Sequence, residues 1–132
     1  MADIVVIVQG VKELNAKLDR LQRAQLLVAP MEIAVDRLKG FMNKYPVQRN
    51  ANSTYVRTGT LGRRWTTRVT PSALAVTGKV GNNTIYGPWV QSAAFQAEIH
   101  RGHWQTDRDA IRVNRNAIIA DFERSIRVEL AR

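Results

Sequence analysis

The stretch Thr106–Leu130, TDRDAIRVNRNAIIADFERSIRVEL, carries the clearest structural pattern in the chain. Its large apolar residues recur at seven- and four-residue steps, which places them on one face of an α-helix. These residues are Ile111, Ile118, Phe122, Ile126 and Leu130. Thr106 and Asp109 have the spacing of a capping box. The stretch therefore predicts a long amphipathic helix with charged residues on its outer face.

Two alternating stretches before this helix predict a β-hairpin. Trp65–Val69 and Leu74–Val80 alternate apolar and polar side chains, and the intervening Thr70-Pro71-Ser72 favours a turn. Gly81-Asn82-Asn83 predicts another turn, because glycine and asparagine tolerate positive φ. Thr84–Tyr86 is then expected to form a short further strand.

The first part of the chain predicts one strand and two helices. Ile4–Val8 is continuously apolar and β-branched, which is typical of a strand covered on both faces. Val11–Leu21 has the periodicity of a helix, and a second helix follows Pro30 and must stop at Pro46. Gly40 within it predicts a close packing contact, since glycine costs ~1 kcal/mol relative to alanine in a helix.

This order of elements indicates a single α+β domain over residues 1–132. We expect a small, mostly antiparallel sheet, made of the N-terminal strand and the central hairpin. The sheet packs against two N-terminal helices and a long C-terminal helix. Loop 46–60 and segment 92–105 are predicted to be irregular, and both are long enough to serve as inter-subunit arms.

The charge of the chain is concentrated in its centre. The net charge is +9, yet residues 37–97 contain no Asp or Glu while the flanks are neutral. Such a segment favours an acidic or polyanionic partner. The chain has no cysteine, which excludes a disulfide framework, a thiolate zinc site and a catalytic thiol.

The sequence offers little support for catalysis. His100 and His103, with Asp107 and Asp109, form the one cluster that resembles a metal site, but their spacing matches no established pattern. We interpret the histidines as exposed and the two aspartates as helix N-terminal residues. No phosphate-binding loop or nucleophile motif occurs, so no enzyme activity, metal or cofactor is predicted. A small nuclease-like enzyme would have only the two histidines as candidates.

No membrane association is predicted either. The first apolar run, Ile4–Val8, is too short and lacks a preceding basic region, so it does not read as a signal peptide. No apolar run approaches the roughly 18–20 residues needed to span a bilayer. The sequence therefore favours a protein made in the cytoplasm.

A basic nucleic-acid-binding module is the main alternative function. Four arginines lie within twelve residues that lack acids, with Trp65 among them and Tyr55 just before them. They are Arg57, Arg63, Arg64 and Arg68. Arginines on phosphates and aromatic rings on bases hold single strands in many proteins. The competing interpretation places Trp65 in the core and the arginines on a solvated strand edge.

Aromatic residues are also frequent between the hairpin and the last helix. Tyr86, Trp89, Phe95 and Trp104 follow no helical or strand period, and they suit a subunit interface. The residues predicted to contact a partner or a neighbouring subunit form one set. It consists of Arg57, Arg63, Arg64, Arg68, Trp89, Arg101 and Trp104.

Two segments resemble a known family. Arg57–Trp65, RTGTLGRRW, is similar to the threonine-glycine-x-leucine-arginine segment of the head–tail joining, or tail completion, proteins of long-tailed phages. Val80–Gln91, VGNNTIYGPWVQ, resembles the tyrosine-alanine-x-x-valine-glutamate segment of the same proteins. The order of predicted elements also agrees over most of the chain. Gln91 stands where the family often has glutamate, and Phe95–Gln105 departs from its proline-rich segment.

The resemblance implies a structural virion protein without enzyme activity. Such a subunit would assemble with copies of itself into a ring, often a hexamer, in the neck or tail of the particle. The ring would join the connector to the tail-tube protein, and DNA would pass through its lumen. No cofactor and no membrane are implied.

Overall fold

A three-stranded antiparallel sheet forms one layer of the molecule. The computed structural model describes residues 3–9, 26–48, 57–73 and 75–131. The strands are β1 (Asp3–Val8), β2 (Trp65–Pro71) and β3 (Val76–Asn82), in the order β1-β3-β2. The predicted N-terminal strand and hairpin are thereby confirmed. The predicted helix at Val11–Leu21, Tyr55 and most of loop 46–60 lie outside the described residues.

The two faces of the sheet have different environments. Ile4 and Val80 lie opposite each other in the register, and both are buried on the core face. Val5 and Ile7 of β1 point the other way and are 49% and 57% exposed. The prediction that this strand is covered on both faces is therefore wrong. A continuous apolar run does not reveal how many faces are buried, because its side chains lack the polar alternation that marks a solvated face.

Helix α1 (Val28–Met42) packs on the core face of the sheet. Its buried residues include Met31, Ala34, Val35 and Leu38, which fall at helical spacing along one stripe. Gly78 of β3 allows the close approach of this helix. A Cβ atom at position 78 would lie 2.5 Å from Sδ of Met31 and 2.6 Å from Cγ1 of Val35.

The predicted long helix is present as α4 (Asp107–Leu130), which packs against α1. Its predicted capping box is confirmed: Asp109 N donates to Thr106 Oγ1 at 3.2 Å, and Thr106 N donates to Asp109 Oδ2 at 3.0 Å. Ile118 and Phe122 are buried in the core, whereas Ile111 is 38% exposed. The molecule therefore has an α+β fold in which a sheet, α1 and α4 lie against one another in succession.

Short helical elements lie on both sides of the hairpin, one before β2 and two between β3 and α4. They are α2 (Thr60–Arg63), α3 (Gly87–Gln91) and one 3₁₀ turn at Glu98–His100. The predictions of a turn at Gly81-Asn82-Asn83 and of a strand at Thr84–Tyr86 are wrong, since β3 runs through Asn82 and a turn follows it. The Asn82 side chain accepts the backbone N–H of Thr84 at 2.9 Å, which bends the chain away from the sheet. Among the described residues, no helix is long and apolar enough to cross a membrane.

Candidate partner-binding groove

The two short helices α2 and α3 border a concave surface of about 590 Å³. We term it the aromatic groove. The lining residues that matter here are Tyr45, Arg57, Tyr86, Trp89, Ile99 and Trp104. They come from four separate parts of the chain, so the groove exists only in the folded protein.

Arg57 is held between two aromatic rings of the groove. Its guanidinium carbon lies 5.6 Å from the ring centroid of Tyr45 and 5.4 Å from that of Trp104. The two rings meet edge to face at 5.2 Å, a favourable arrangement for aromatic pairs. Arg57 also donates a hydrogen bond to the carbonyl oxygen of Pro46. Cation–π contacts and this hydrogen bond together fix the position of the charge.

Backbone geometry and hydrogen bonds position α2 at the edge of the groove. Gly59 precedes the helix with φ of 77°, in the left-handed region that favours glycine. The Tyr45 hydroxyl accepts the N–H of Gly62 at 2.9 Å. The buried Asn82 side chain donates to the Leu61 carbonyl at 2.8 Å while it accepts from Thr84. Asn82 thus connects α2 to the turn that leads into α3.

Three glutamine side chains hold the segment between α3 and α4 in place. Gln91 is 1% exposed and donates to the Met42 carbonyl at 3.0 Å. Gln105 donates to the carbonyls of Phe41 and Lys44 at 2.9 and 2.6 Å. These amides satisfy carbonyl groups at the end of α1, which have no partners within the helix. Gln96 Nε2 lies within hydrogen-bond distance of three further carbonyl oxygens, those of Val90, His100 and Trp104.

Large apolar side chains are exposed in and beside the groove. Trp89 is 58% exposed and Ile99 72% exposed, and both line the groove together with Tyr86. Phe95 and Ile85 on the same segment are also exposed. Surface apolar residues are ordinary one at a time, but a group of this kind is typical of an interaction site.

The structure brings only part of the predicted interface set together. Arg57, Trp89 and Trp104 line the groove. The Arg63 guanidinium lies at its rim, because a Cβ at Gly59 would be 2.8 Å from Arg63 Nη1. The remaining members of the set are exposed elsewhere. They are Arg64 after α2, Arg68 opposite Lys79 on the outer face of the sheet, and Arg101 after the 3₁₀ turn.

The two histidines and the two nearby aspartates have separate positions. His100 and His103 both line the aromatic groove, with the His100 ring 6.5 Å from that of Trp104. Asp109 belongs to the capping box, and Asp107 Oδ1 accepts the N–H groups of Ala93 and Arg108 at 2.9 Å. The hydrogen bond from the Thr106 backbone lowers the pKa of Asp109. In the described ranges, no group of three or more His, Asp or Glu side chains is placed to hold a metal ion.

Two basic residues of the acid-free segment 37–97 pair with carboxylates from outside that segment. Asp121 is 3% exposed and accepts from Arg37 Nε at 2.5 Å and from Arg37 Nη2 at 3.2 Å. These hydrogen bonds, with a weaker contribution from Arg124, lower the pKa of Asp121, and they raise the pKa of Arg37. Lys79 Nζ lies 3.3 Å from Asp3 Oδ2. Arg57 has no carboxylate partner among the described residues, so positive charge remains at the groove.

Sequence reasoning missed several residues that build the groove. The sequence gives no sign that Tyr45 belongs to an interface, and it predicts Asn82 only as a turn former. The sequence gives a weak indication of the role of the three glutamines, because side-chain amides in an irregular segment are suited to binding main-chain carbonyls.

No protein-family profile, no curated protein sequence and no solved structure matches this chain.

Proposed function

We propose that the protein is a structural subunit of a phage neck or tail, which assembles into a ring and joins the head connector to the tail tube. One observation carries the proposal: the two segments that resemble tail completion proteins line the same groove. Thr58, Gly59 and Leu61 come from the first segment, and Trp89 and Val90 from the second. A resemblance in two separate segments supports a shared function better when the two segments form one surface in the folded protein.

The character of the groove supports contact with a protein. Trp89 and Tyr86 are large aromatic residues, and Arg57 is a pre-positioned cation; these are the residue types that contribute most to interface energetics. The glutamine hydrogen bonds hold the groove wall in one conformation. A rigid wall reduces the conformational entropy lost on binding.

The proposed partners follow from the same assignment. They are further copies of this chain in a ring, which is often a hexamer in the resembling family, together with connector and tail-tube proteins. The proposed location is the virion neck or tail, with DNA in the ring lumen. The exposed Arg64 and Arg68 would suit the vicinity of DNA, since arginine contacts phosphate without reading sequence.

A nucleic-acid-binding module remains the second candidate, and one observation favours it. Arg68 lies opposite Lys79 on the outer sheet face, and Arg63 and Arg64 are exposed. Arg57, in contrast, is engaged by two rings and the Pro46 carbonyl. This function predicts DNA binding with a steep salt dependence that is lost when Arg63, Arg64 and Arg68 are replaced together. A flat response at low salt would eliminate it.

The test of the proposed ring subunit is mass measurement on the purified full chain. Native mass spectrometry is performed on the chain alone and after mixing with the connector and tail-tube proteins of the same phage. We expect an oligomer, a complex with at least one of these partners, or both. A strict monomer that binds none of them would contradict the proposal.

Two matched variants show whether the groove carries the assembly. Trp89→Ala removes an exposed aromatic residue of the groove, and Val113→Ala removes a comparably exposed apolar residue from α4. We expect Trp89→Ala to weaken assembly by about tenfold or more, as is common for a central aromatic contact. The Val113→Ala protein should assemble as the wild type does. Equal effects of both variants would place the interface elsewhere.

A further inference from the structure

The aromatic groove has a complementary surface on α1 of the same chain. In the described ranges, four carboxylate side chains are exposed without an ion pair: Glu32, Asp36, Glu98 and Glu123. Glu98 belongs to the segment that forms the groove wall, and Glu123 lies in the helix beside Arg124 and Arg127. Of these four, Glu32 and Asp36 lie four residues apart on α1, and the adjacent Arg37 is bound to Asp121.

An exposed apolar side chain accompanies this acidic pair. Ile33 is 46% exposed and follows Glu32 on the outer side of α1. Glu32 and Asp36 are four residues apart, so they lie one above the other on the helix surface, about 5–6 Å from Cβ to Cβ. We define Glu32, Ile33 and Asp36 as the α1 ridge.

The groove carries positive charges beside an exposed apolar side chain, whereas the α1 ridge carries negative charges beside one. Arg57 lines the groove and the exposed Arg63 lies at its rim, so the groove carries two positive charges as well as the exposed Trp89. The ridge offers two carboxylates beside one exposed aliphatic side chain. Complementary charges of this kind set the orientation and the rate of association, while the apolar pair contributes buried area.

We propose that the aromatic groove of one copy binds the α1 ridge of a second copy, with Arg57 and Arg63 against Asp36 and Glu32, and Trp89 against Ile33. The ridge and the groove are different surfaces, so each copy can use both at once. The contact is heterologous, and such contacts form a ring when the rotation between neighbours closes. This inference rests on the proposed ring subunit and names the pair of surfaces that would join its neighbours.

Charge reversal on each side tests the contact. Arg63→Glu alters the groove and Asp36→Lys alters the ridge; both side chains are exposed, so folding should be preserved. Analytical ultracentrifugation at low and high salt gives the oligomer dissociation constant, and circular dichroism verifies the fold. We expect each single variant to weaken self-association by about tenfold or more, and the double variant to recover most of the loss.

Arg68→Glu and Glu123→Lys are the matched controls, because they make the same charge changes on other exposed surfaces. They should self-associate as the wild type does. Controls that weaken association as much as the test variants, or a double variant no better than the weaker single one, would overturn the contact. A wild-type chain that is monomeric at micromolar concentration would also overturn it.

The outcomes separate this inference from the proposed function. Oligomers that are insensitive to all four reversals would refute the ridge–groove contact and leave the ring subunit intact. A chain that stays monomeric but binds connector or tail-tube protein would likewise refute only the contact. Binding of an acidic peptide of a connector protein to the groove, with no self-association, would assign the groove to that partner instead.

Discussion

Arg37 and Asp121 join α1 to α4 through two hydrogen bonds between residues 84 positions apart in the chain. The carboxylate is buried, whereas the arginine side chain is 41% exposed at the edge of the helix pair. Arg124 adds a third contact to the same carboxylate at 3.2 Å. This pair fixes how α4 lies on α1.

Replacement of Asp121 by asparagine should lower stability in a pH-dependent way. The hydrogen bonds from Arg37 lower the pKa of Asp121 in the folded protein. A carboxyl group with a lowered folded pKa adds stability above its unfolded pKa, and this contribution is lost as the pH falls through the folded pKa. Denaturant unfolding from pH 7 down to pH 2 should show the largest deficit of Asp121→Asn at neutral pH.

The control for this measurement is Glu123→Gln, an exposed position two residues further along α4. Its free energy of unfolding should follow that of the wild type at all pH values. If Asp121→Asn is equally destabilised at pH 2 and pH 7, packing and not the ion pair is responsible.

Replacement of Gly40 by alanine should stabilise the protein. The sequence predicts a close packing contact at this glycine, but a Cβ atom there would meet nothing within 4 Å, so that prediction is wrong. Alanine is the better helix former, and the gain is about 0.5–1 kcal/mol. The free energy of unfolding of Gly40→Ala, measured by urea titration, should rise by this amount.

The same change at Gly78 should have the opposite sign. The new methyl group would overlap with Met31 and Val35, and overpacking of a core costs about 1–3 kcal/mol. Urea titration of Gly78→Ala should show a lower midpoint with little change in slope. A stabilised Gly78→Ala protein would mean that α1 does not approach β3 as closely as described.

Replacement of Gln91 by glutamate should destabilise the protein at neutral pH. The Gln91 amide donates to the carbonyls of Met42 and Gln105, so a carboxylate there would face two acceptors while buried. An unsatisfied buried group costs about 1–3 kcal/mol, and more when it is charged. Burial would raise the pKa of the introduced carboxyl, so the deficit should shrink as the pH falls towards 5.

Gln48→Glu provides the comparison, because it makes the same change at an exposed glutamine. Its stability should not depend on pH in this way. A Gln91→Glu protein as stable as the wild type at pH 7 would show that the carbonyls rearrange around the introduced carboxylate.

Replacement of Thr106 by alanine should shorten or loosen the start of α4. The change removes the acceptor for the N–H of Asp109, and loss of such a cap costs about 0.5–2 kcal/mol. Thermal unfolding followed by circular dichroism measures the loss. Thr70→Ala on the exposed side of β2 is the control and should have a smaller effect.

Local patterns were sufficient to predict β1, the hairpin, α1 and α4. The capping box and the apolar steps of α4 involve residues close in sequence, and the alternation of the hairpin directly reflects its two faces. The strand predicted at Thr84–Tyr86 failed because the Asn82 side chain takes the N–H that a strand would use in its ladder.

The sequence predicts which residues belong to an interface, but it does not predict the groove that they form. Arg57, Trp89 and Trp104 were expected in an interface, and they do lie together. Their arrangement depends on Tyr45, on the glutamine hydrogen bonds and on contacts between distant segments. The exposure of Val5 and Ile7 could not be predicted for a similar reason. Burial depends on which elements cover a strand and not on the strand itself.

The distance in sequence between Arg37 and Asp121 also determines when the protein can fold during synthesis. β1 must wait for β3, because Asp3 pairs with Gly81, and α1 must wait for the middle of α4. The nascent chain therefore leaves the ribosome with the apolar stripe of α1 uncovered on one side until translation has passed Asp121. Chains that terminate before that point would expose this stripe to chaperones and proteases.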